Sequence, residues 1–188
     1  MSFYNSLDIS HRMVKETVKE GDAVIDATMG KGWDTRLLAE LVGSTGKVYS
    51  FDIQELALEH TRKRLEDAGV AERVQLIRDG HQNMKKYVTE SVSAVMFNLG
   101  YLPGGDHNIY TMAETTRLAL EASMELIRVG GIVSIVVYYG GDSGYEEKND
   151  IMEYIKGIDF KRFAVLKCSW ENQPNDPPIA IIIEKTKE

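Results

Sequence analysis

Two rhythms of apolar and polar residues alternate along the chain. Nearly continuous apolar runs, rich in β-branched residues, predict buried strands at residues 23–27 (AVIDA), 47–52 (KVYSFD), 73–78 (RVQLIR), 92–98 (VSAVMFN) and 132–138 (IVSIVVY). Between them, helical patterns are expected at 35–42, at 55–68 with Leu56, Ala57, Leu65 and Ala68 as its apolar positions, and over a short stretch at 81–87. A long helix is expected over 110–128, stopped by Gly130 and Gly131, and another over 145–156. Strands near 160–169 and 179–185 complete the pattern.

Strands separated by helices build βαβ units with right-handed crossovers and a mainly parallel sheet. The last two strands are joined by the loop ENQPNDPP with no helix, so they are expected to pair antiparallel. The predicted fold class is α/β, a doubly wound, mainly parallel seven-stranded Rossmann-like sheet closed by a C-terminal antiparallel hairpin. That closure is unusual among dinucleotide-binding folds and usual among the common class of methyltransferases. With 188 residues, 43% of them hydrophobic, and no repeat or linker, one domain over 1–188 is expected.

The segment VIDATMGKGWDT, residues 24–35, runs from a strand through Gly30 and Gly32 into a helix. Glycines there allow a sharp turn and close approach of a ligand, and the helix start offers free N–H groups. Asp52 ends the next strand, where a carboxylate can accept from ribose hydroxyls. These two features indicate an adenosine-type ligand without selecting the reaction. The selection comes from charge. A dinucleotide fingerprint wants a third small residue where this chain has Thr35, and the loop carries Asp26 and Asp34. Carboxylates repel a pyrophosphate and suit a cofactor bearing an ammonium and a sulfonium, which points to S-adenosylmethionine over NAD. Thr28 and Ile53 flank the same candidate cradle. After the third strand, Asp79, Gly80 and His81 stand where an adenine ring would lie. Asp79 could take the exocyclic amine; it also suits a helix cap, and the two roles can coexist.

The fourth strand ends in FNLGYLPGGDH, residues 97–107. Its Asn98-x-x-Tyr101 partly resembles the (N/D)PPY motif of methyltransferases that act on nitrogen, with Leu99 and Gly100 in place of the prolines. An amine attacks a methyl carbon only when neutral. An Asn oxygen and the next backbone carbonyl can hold its hydrogens and aim its lone pair, while an aromatic ring packs the target. Asn98 and Tyr101 are therefore the candidate catalytic pair, Asn98 also bordering the cofactor; the alternative is that both merely shape a loop. Tyr138 and Tyr139 after the fifth strand, and Asn175 and Pro177 in the last loop, would face the same cleft as substrate contacts, although both tyrosines equally suit a strand-end core.

Charge narrows the partners. With Lys plus Arg 22 against Asp plus Glu 29, the net charge is −7, which counts against a protein that coats long nucleic acid but not against one that grips a small RNA loop. Arg12, Lys15 and Lys19 share a helical face, read first as solvated, and His11 beside them lies either over the cofactor or at the surface. Cys168 is the single cysteine and reads as a buried strand residue; no metal site is expected. No run is long and apolar enough to span a bilayer, and the charged N-terminal stretch does not read as a signal peptide, so a cytoplasmic location is expected.

Taken in order, DATMGKGWDT, VYSFDIQ, RDGH, NLGYLPGGDH and NQPNDPPIAIIIEK resemble the small bacterial family labelled putative rRNA methylases, over almost the whole chain. The resemblance implies a class I S-adenosylmethionine-dependent methyltransferase. In that family the better-defined activity is on the tRNA anticodon loop, where the aminomethyl group of 5-aminomethyl-2-thiouridine at the wobble position is methylated. It also implies cofactor contacts at Lys31, Asp34, Asp52, Gln54 and His81. The family loop usually reads GNGHDT, so Lys31 and Trp33 are departures; Lys31 brings a cation toward the cofactor's carboxylate. Competing readings are an rRNA base or a small metabolite amine as acceptor, a nicotinamide oxidoreductase, and a silent cofactor-binding subunit. The sequence leaves the oligomeric state open, a homodimer included.

Overall fold

The computed structural model describes residues 5–100, 111–139 and 144–188. In chain order it contains α1 (Ser6–Thr17), β1 (Ala23–Asp26), α2 (Trp33–Leu41), β2 (Lys47–Asp52), α3 (Glu55–Asp67), β3 (Val74–Arg78), β4 (Val92–Leu99), α4 (Ala113–Leu126), β5 (Ile127–Val137), α5 (Gly144–Lys156), β6 (Phe163–Cys168) and β7 (Ile179–Lys185). Short 3-10 turns span Ala71–Arg73 and His81–Lys86.

The strands form one seven-stranded sheet in the order β3-β2-β1-β4-β5-β7-β6. Pairing is parallel from β3 through β5 and antiparallel for β5–β7 and β7–β6, as the missing helix before β7 predicted. Strand order reverses between β1 and β4, the switch point at which open α/β sheets leave a crevice beyond their carboxyl ends.

Successive strand residues feed opposite faces of the sheet, so both faces need apolar residues. Val24, Val48 and Met96 pack with Val14, Leu38 and Leu65 of α1, α2 and α3 on one side. Ile25, Phe51, Phe97 and Ile135 pack with Leu120 of α4 and Ile151 of α5 on the other. The continuous apolar runs read from the sequence follow from this double cover.

Several expected boundaries move. The long helix ends at Leu126, and Ile127–Val137 is one strand, so Arg128 is extended. Gly130 and Gly131 are not a helix stop. They sit inside β5, where the register with β4 shifts between Val92 and Ala94. Gly130 has φ +76, and a Cβ on Gly131 would lie 2.9 Å from the Arg128 carbonyl and 3.0 Å from that of Ser93. A bulge and a helix end make the same demand on glycine, which is why the two were confused. The start expected at residue 110 lies outside the described residues. The last hairpin begins later than expected, at Phe163, and leaves Phe160 exposed. The stretch at 81–86 is a 3-10 turn. Arg12 and Lys15 are exposed on α1, Arg12 pairs with Glu16 at 3.2 Å, and Lys19 lies beyond the helix end, which agrees with a solvated face.

Candidate functional site

Beyond β1 the chain turns through Gly30 (φ +52) and Gly32 (φ +75), both left-handed. Gly32 is the residue before α2, and a Cβ there would stand 2.6–2.9 Å from Thr61 of α3. Only glycine lets the turn press so closely on α3. The start of α2 has no side-chain cap, so its first N–H groups remain available to an anionic group.

Asp26 and Thr35 lie beneath this turn, 1% and 0% exposed. The Asp26 carboxylate accepts from the Thr28 N–H at 3.1 Å and from the Thr35 hydroxyl at 2.5 Å, and Thr35 meets the Ser50 hydroxyl at 2.8 Å. Burial, and then the nearby Asp34 charge, push the Asp26 carboxyl up to about 7. These two side chains brace the loop from below, their polar atoms bonded to one another and to Thr28 and Ser50.

Asp52, at the end of β2, accepts from the Gly30 and Gln54 N–H groups, each at 3.0 Å, and burial raises its pKa. It ties the glycine turn to β2 and leaves Ile53 exposed at the lip. Outside the turn, Arg64 of α3 stacks 3.3 Å over the Trp33 ring and donates to the Lys31 carbonyl at 2.7 Å. Trp33 is 63% exposed. Arg64 was not picked out from the sequence as a site residue, because nothing local links it to a loop thirty residues upstream.

Asp79 caps the turn that follows β3. It accepts from the Gly80 N–H at 2.7 Å, the Asn83 amide at 2.8 Å and the Tyr87 hydroxyl at 2.8 Å. Burial alone would raise its pKa, but those bonds outweigh it and hold the carboxyl below the usual range. Asp79 thus caps this turn, a role that coexists with a ligand contact. His81 is buried, donates from Nδ1 to the Ala27 carbonyl at 3.1 Å, and meets Phe97 edge to face; burial lowers its pKa and keeps the ring neutral.

The reacting end joins three elements. Asn98 near the end of β4 donates its backbone N–H to the Thr28 hydroxyl at 2.7 Å and its side-chain amide to Asp34. The other Asp34 oxygen meets His11 Nε2 from α1 at 2.6 Å. Asn98 Oδ1 is buried and has no hydrogen-bond partner among the described residues. His11 is therefore tied to the glycine turn's helix through Asp34. Helix α1 is seated by Ser10 on Ser134 at 2.7 Å and by Ser6, which meets the Pro178 carbonyl and the Trp170 indole N–H.

Of the two tyrosines after β5, Tyr138 is 44% exposed, and burial and the Asp34 charge raise its phenol pKa. Tyr139 is 8% exposed, packed edge to face on Tyr145 and covered by Lys148 at 3.9 Å. The structure assigns Tyr139 to the core and leaves Tyr138 open. In the last loop Asn175 (φ +62) is exposed and Pro177 half-buried; Asp176 (φ +49) accepts from the Tyr145 hydroxyl at 2.5 Å. Tyr101 lies outside the described residues.

The donor set fits S-adenosylmethionine. An uncapped helix start suits its carboxylate, and the strand-end carboxylate of Asp52 suits its ribose. The buried Asn98 oxygen beside Asp34 awaits a donor. A cavity of about 770 Å³ between α4 and α5, lined by Leu120, Met124, Ile151, Tyr154 and Phe163, includes none of these residues. Among the described residues no group of three or more His, Cys, Asp or Glu could hold a metal, and no helix is long and apolar enough to cross a membrane.

Known proteins resemble this chain in sequence and in fold. A model of the family described as "Putative rRNA methylase" matches residues 48–184. A protein of Arabidopsis thaliana named "tRNA (mnm(5)s(2)U34)-methyltransferase, chloroplastic" is 35% identical over 188 residues, which is 95% of this chain and 69% of the relative. A crystal structure from Clostridium thermocellum, described as "putative rRNA-methylase", is 54% identical with a TM-score of 0.97, covering 98% of this chain and 100% of that one. A "putative methyltransferase" from Streptococcus mutans, solved in complex with SAH, is 40% identical with a TM-score of 0.90, covering 98% and 99%.

Proposed function

Since this chain belongs to the family described as "Putative rRNA methylase" and is an S-adenosylmethionine-dependent methyltransferase, we propose that its methyl acceptor is a primary amine on RNA, the aminomethyl group of 5-aminomethyl-2-thiouridine at the tRNA wobble position. The observation that carries this reading is the unpartnered Oδ1 of Asn98. A carboxylate only accepts, so the amide nitrogen of Asn98 must face Asp34 and its oxygen must face away. A buried acceptor left without a donor costs free energy, and an amine N–H removes that cost. The Leu99 carbonyl, which accepts from the Tyr138 N–H at a long 3.4 Å, is the second acceptor the amine needs. Together they orient the nitrogen lone pair. When bound, S-adenosylmethionine supplies an electrophilic methyl group on its sulfonium. The choice of tRNA is supported by the 35% identical Arabidopsis relative, which is named for that wobble nucleoside. Exposed Tyr138 offers a ring for the base to pack on.

The test is transfer of labelled methyl to separate tRNA, rRNA and small-molecule fractions, the tRNA drawn from cells that leave the aminomethyl group unmethylated. Label is expected in the methylaminomethyl nucleoside of tRNA. Asn98→Ala should slow turnover by about 10²–10³-fold, as loss of one positioned polar group does, with binding of S-adenosylhomocysteine kept. Asp52→Ala should instead weaken that binding by about tenfold. Label confined to rRNA or to a small amine, or full turnover by Asn98→Ala, would overturn the reading.

A further inference from the structure

An aliphatic amine is protonated at neutral pH, with an ordinary pKa of about 10. A proton must therefore leave the acceptor nitrogen before it can attack. Asn98 cannot take it, because an amide oxygen is no base in water. Asp34 already has both oxygens engaged, one by His11 Nε2 at 2.6 Å and the other by the Asn98 amide. The bond to Asp34 fixes which ring nitrogen faces the carboxylate. A carboxylate accepts only, so Nε2 carries a hydrogen, and Nδ1 is the nitrogen open to a further proton. Nδ1 makes no bond to any described residue. The His11 side chain is 25% exposed, so it can exchange a proton with solvent.

The other titratable groups at this pair do not compete. Asp26 of β1 lies below Asp34 with both oxygens bonded inside the fold. Tyr138, after β5, has its phenol pKa raised by burial and by Asp34, so it holds its own proton.

We infer that His11 is the base that receives the acceptor amine's proton, oriented by Asp34. This rests on the amine reading above. As the N–H bond breaks, the proton passes to His11 Nδ1 and its electron pair stays on nitrogen. That pair forms the new N–CH₃ bond, and the pair of the broken S–CH₃ bond remains on sulfur, which loses its positive charge. Imidazolium is left against the Asp34 carboxylate and returns its proton to solvent. The arrangement gives α1 a chemical task, and it lets Asp34 align the base and the amine acceptor with one side chain.

Two variants and one spectrum test this. His11→Gln keeps a donor for Asp34 but has no basic nitrogen, so a purely positioning role predicts near wild-type turnover. The base assignment predicts a single-turnover rate about 10²-fold lower. His11→Ala should be equally slow, and added imidazole should restore its rate in proportion to concentration. Nitrogen NMR of the resting protein should show the His11 ring protonated at Nε2 and bare at Nδ1. A His11→Gln rate equal to wild type, failure of imidazole to rescue His11→Ala, or a ring protonated at Nδ1 would overturn the assignment. If wild-type protein leaves the aminomethyl nucleoside untouched, the acceptor reading fails instead; an active wild type with a fast His11→Gln sinks only the base.

Discussion

Asp26 illustrates how a site is assembled at the scale of a residue. It ionises near 3.8 in an unfolded chain and holds its proton up to about 7 in the fold, through burial and the Asp34 charge. Between those values the folded state binds the extra proton, so its contribution to stability falls as pH rises from about 4 to about 7 and is level above that. Asp52 and Glu147, raised by burial, tilt stability the same way. His81, lowered by burial, tilts it the other way. Urea midpoints measured at about pH 5 and about pH 8 should therefore drop less in Asp26→Asn than in wild type. An equal drop in both proteins would contradict a raised Asp26. Its type and spacing were visible in the sequence. Its place beneath the loop was not, because that depends on the Thr35 and Ser50 hydroxyls closing around it.

Among the elements, the β1–α2 turn was the most legible and the N-terminal helix the least. A glycine turn between a buried strand and a helix is a local signal, and Gly30 and Gly32 do adopt left-handed φ. Gly32→Ala should lose the left-handed conformation at a cost of about 1–2 kcal/mol, before the 2.6 Å approach to Thr61 is counted. A melting temperature lower by roughly 3–8 °C, together with weakened S-adenosylhomocysteine binding in calorimetry, is the expected result. Unchanged melting would mean that α3 yields freely. Helix α1 carried only a short basic spacing in the sequence, and its anchors Ser6 and Ser10 find partners at Pro178, Trp170 and Ser134, more than a hundred residues away. The Gly130–Gly131 bulge misled for the opposite reason, since one local signature serves two structures.

Over the whole molecule, a net charge of −7 bears on how RNA can be held. An acidic protein gains little from long tracts of phosphate, so the proposed anticodon loop would be gripped by few contacts. Binding of an anticodon stem-loop should weaken with salt with a log–log slope no steeper than about −3, or about three phosphates. Filter binding over a salt series measures this. A slope near −8 would mean a broad basic face that the composition denies.

The sequence by itself determined the sheet and its direction changes, because continuous apolar strands, helical spacing and a helix-free final loop are local consequences of burial and chain length. It also determined the acidic glycine turn, whose chemistry needs no distant partner. Tertiary structure alone decided how deeply each carboxylate is buried and what it bonds to, that Tyr139 is core while Tyr138 is open, and that His11, Asp34 and Asn98 form one chain of hydrogen bonds. Those outcomes depend on side chains from α1, α2 and β4 meeting at one point, and no spacing along the chain records such a meeting.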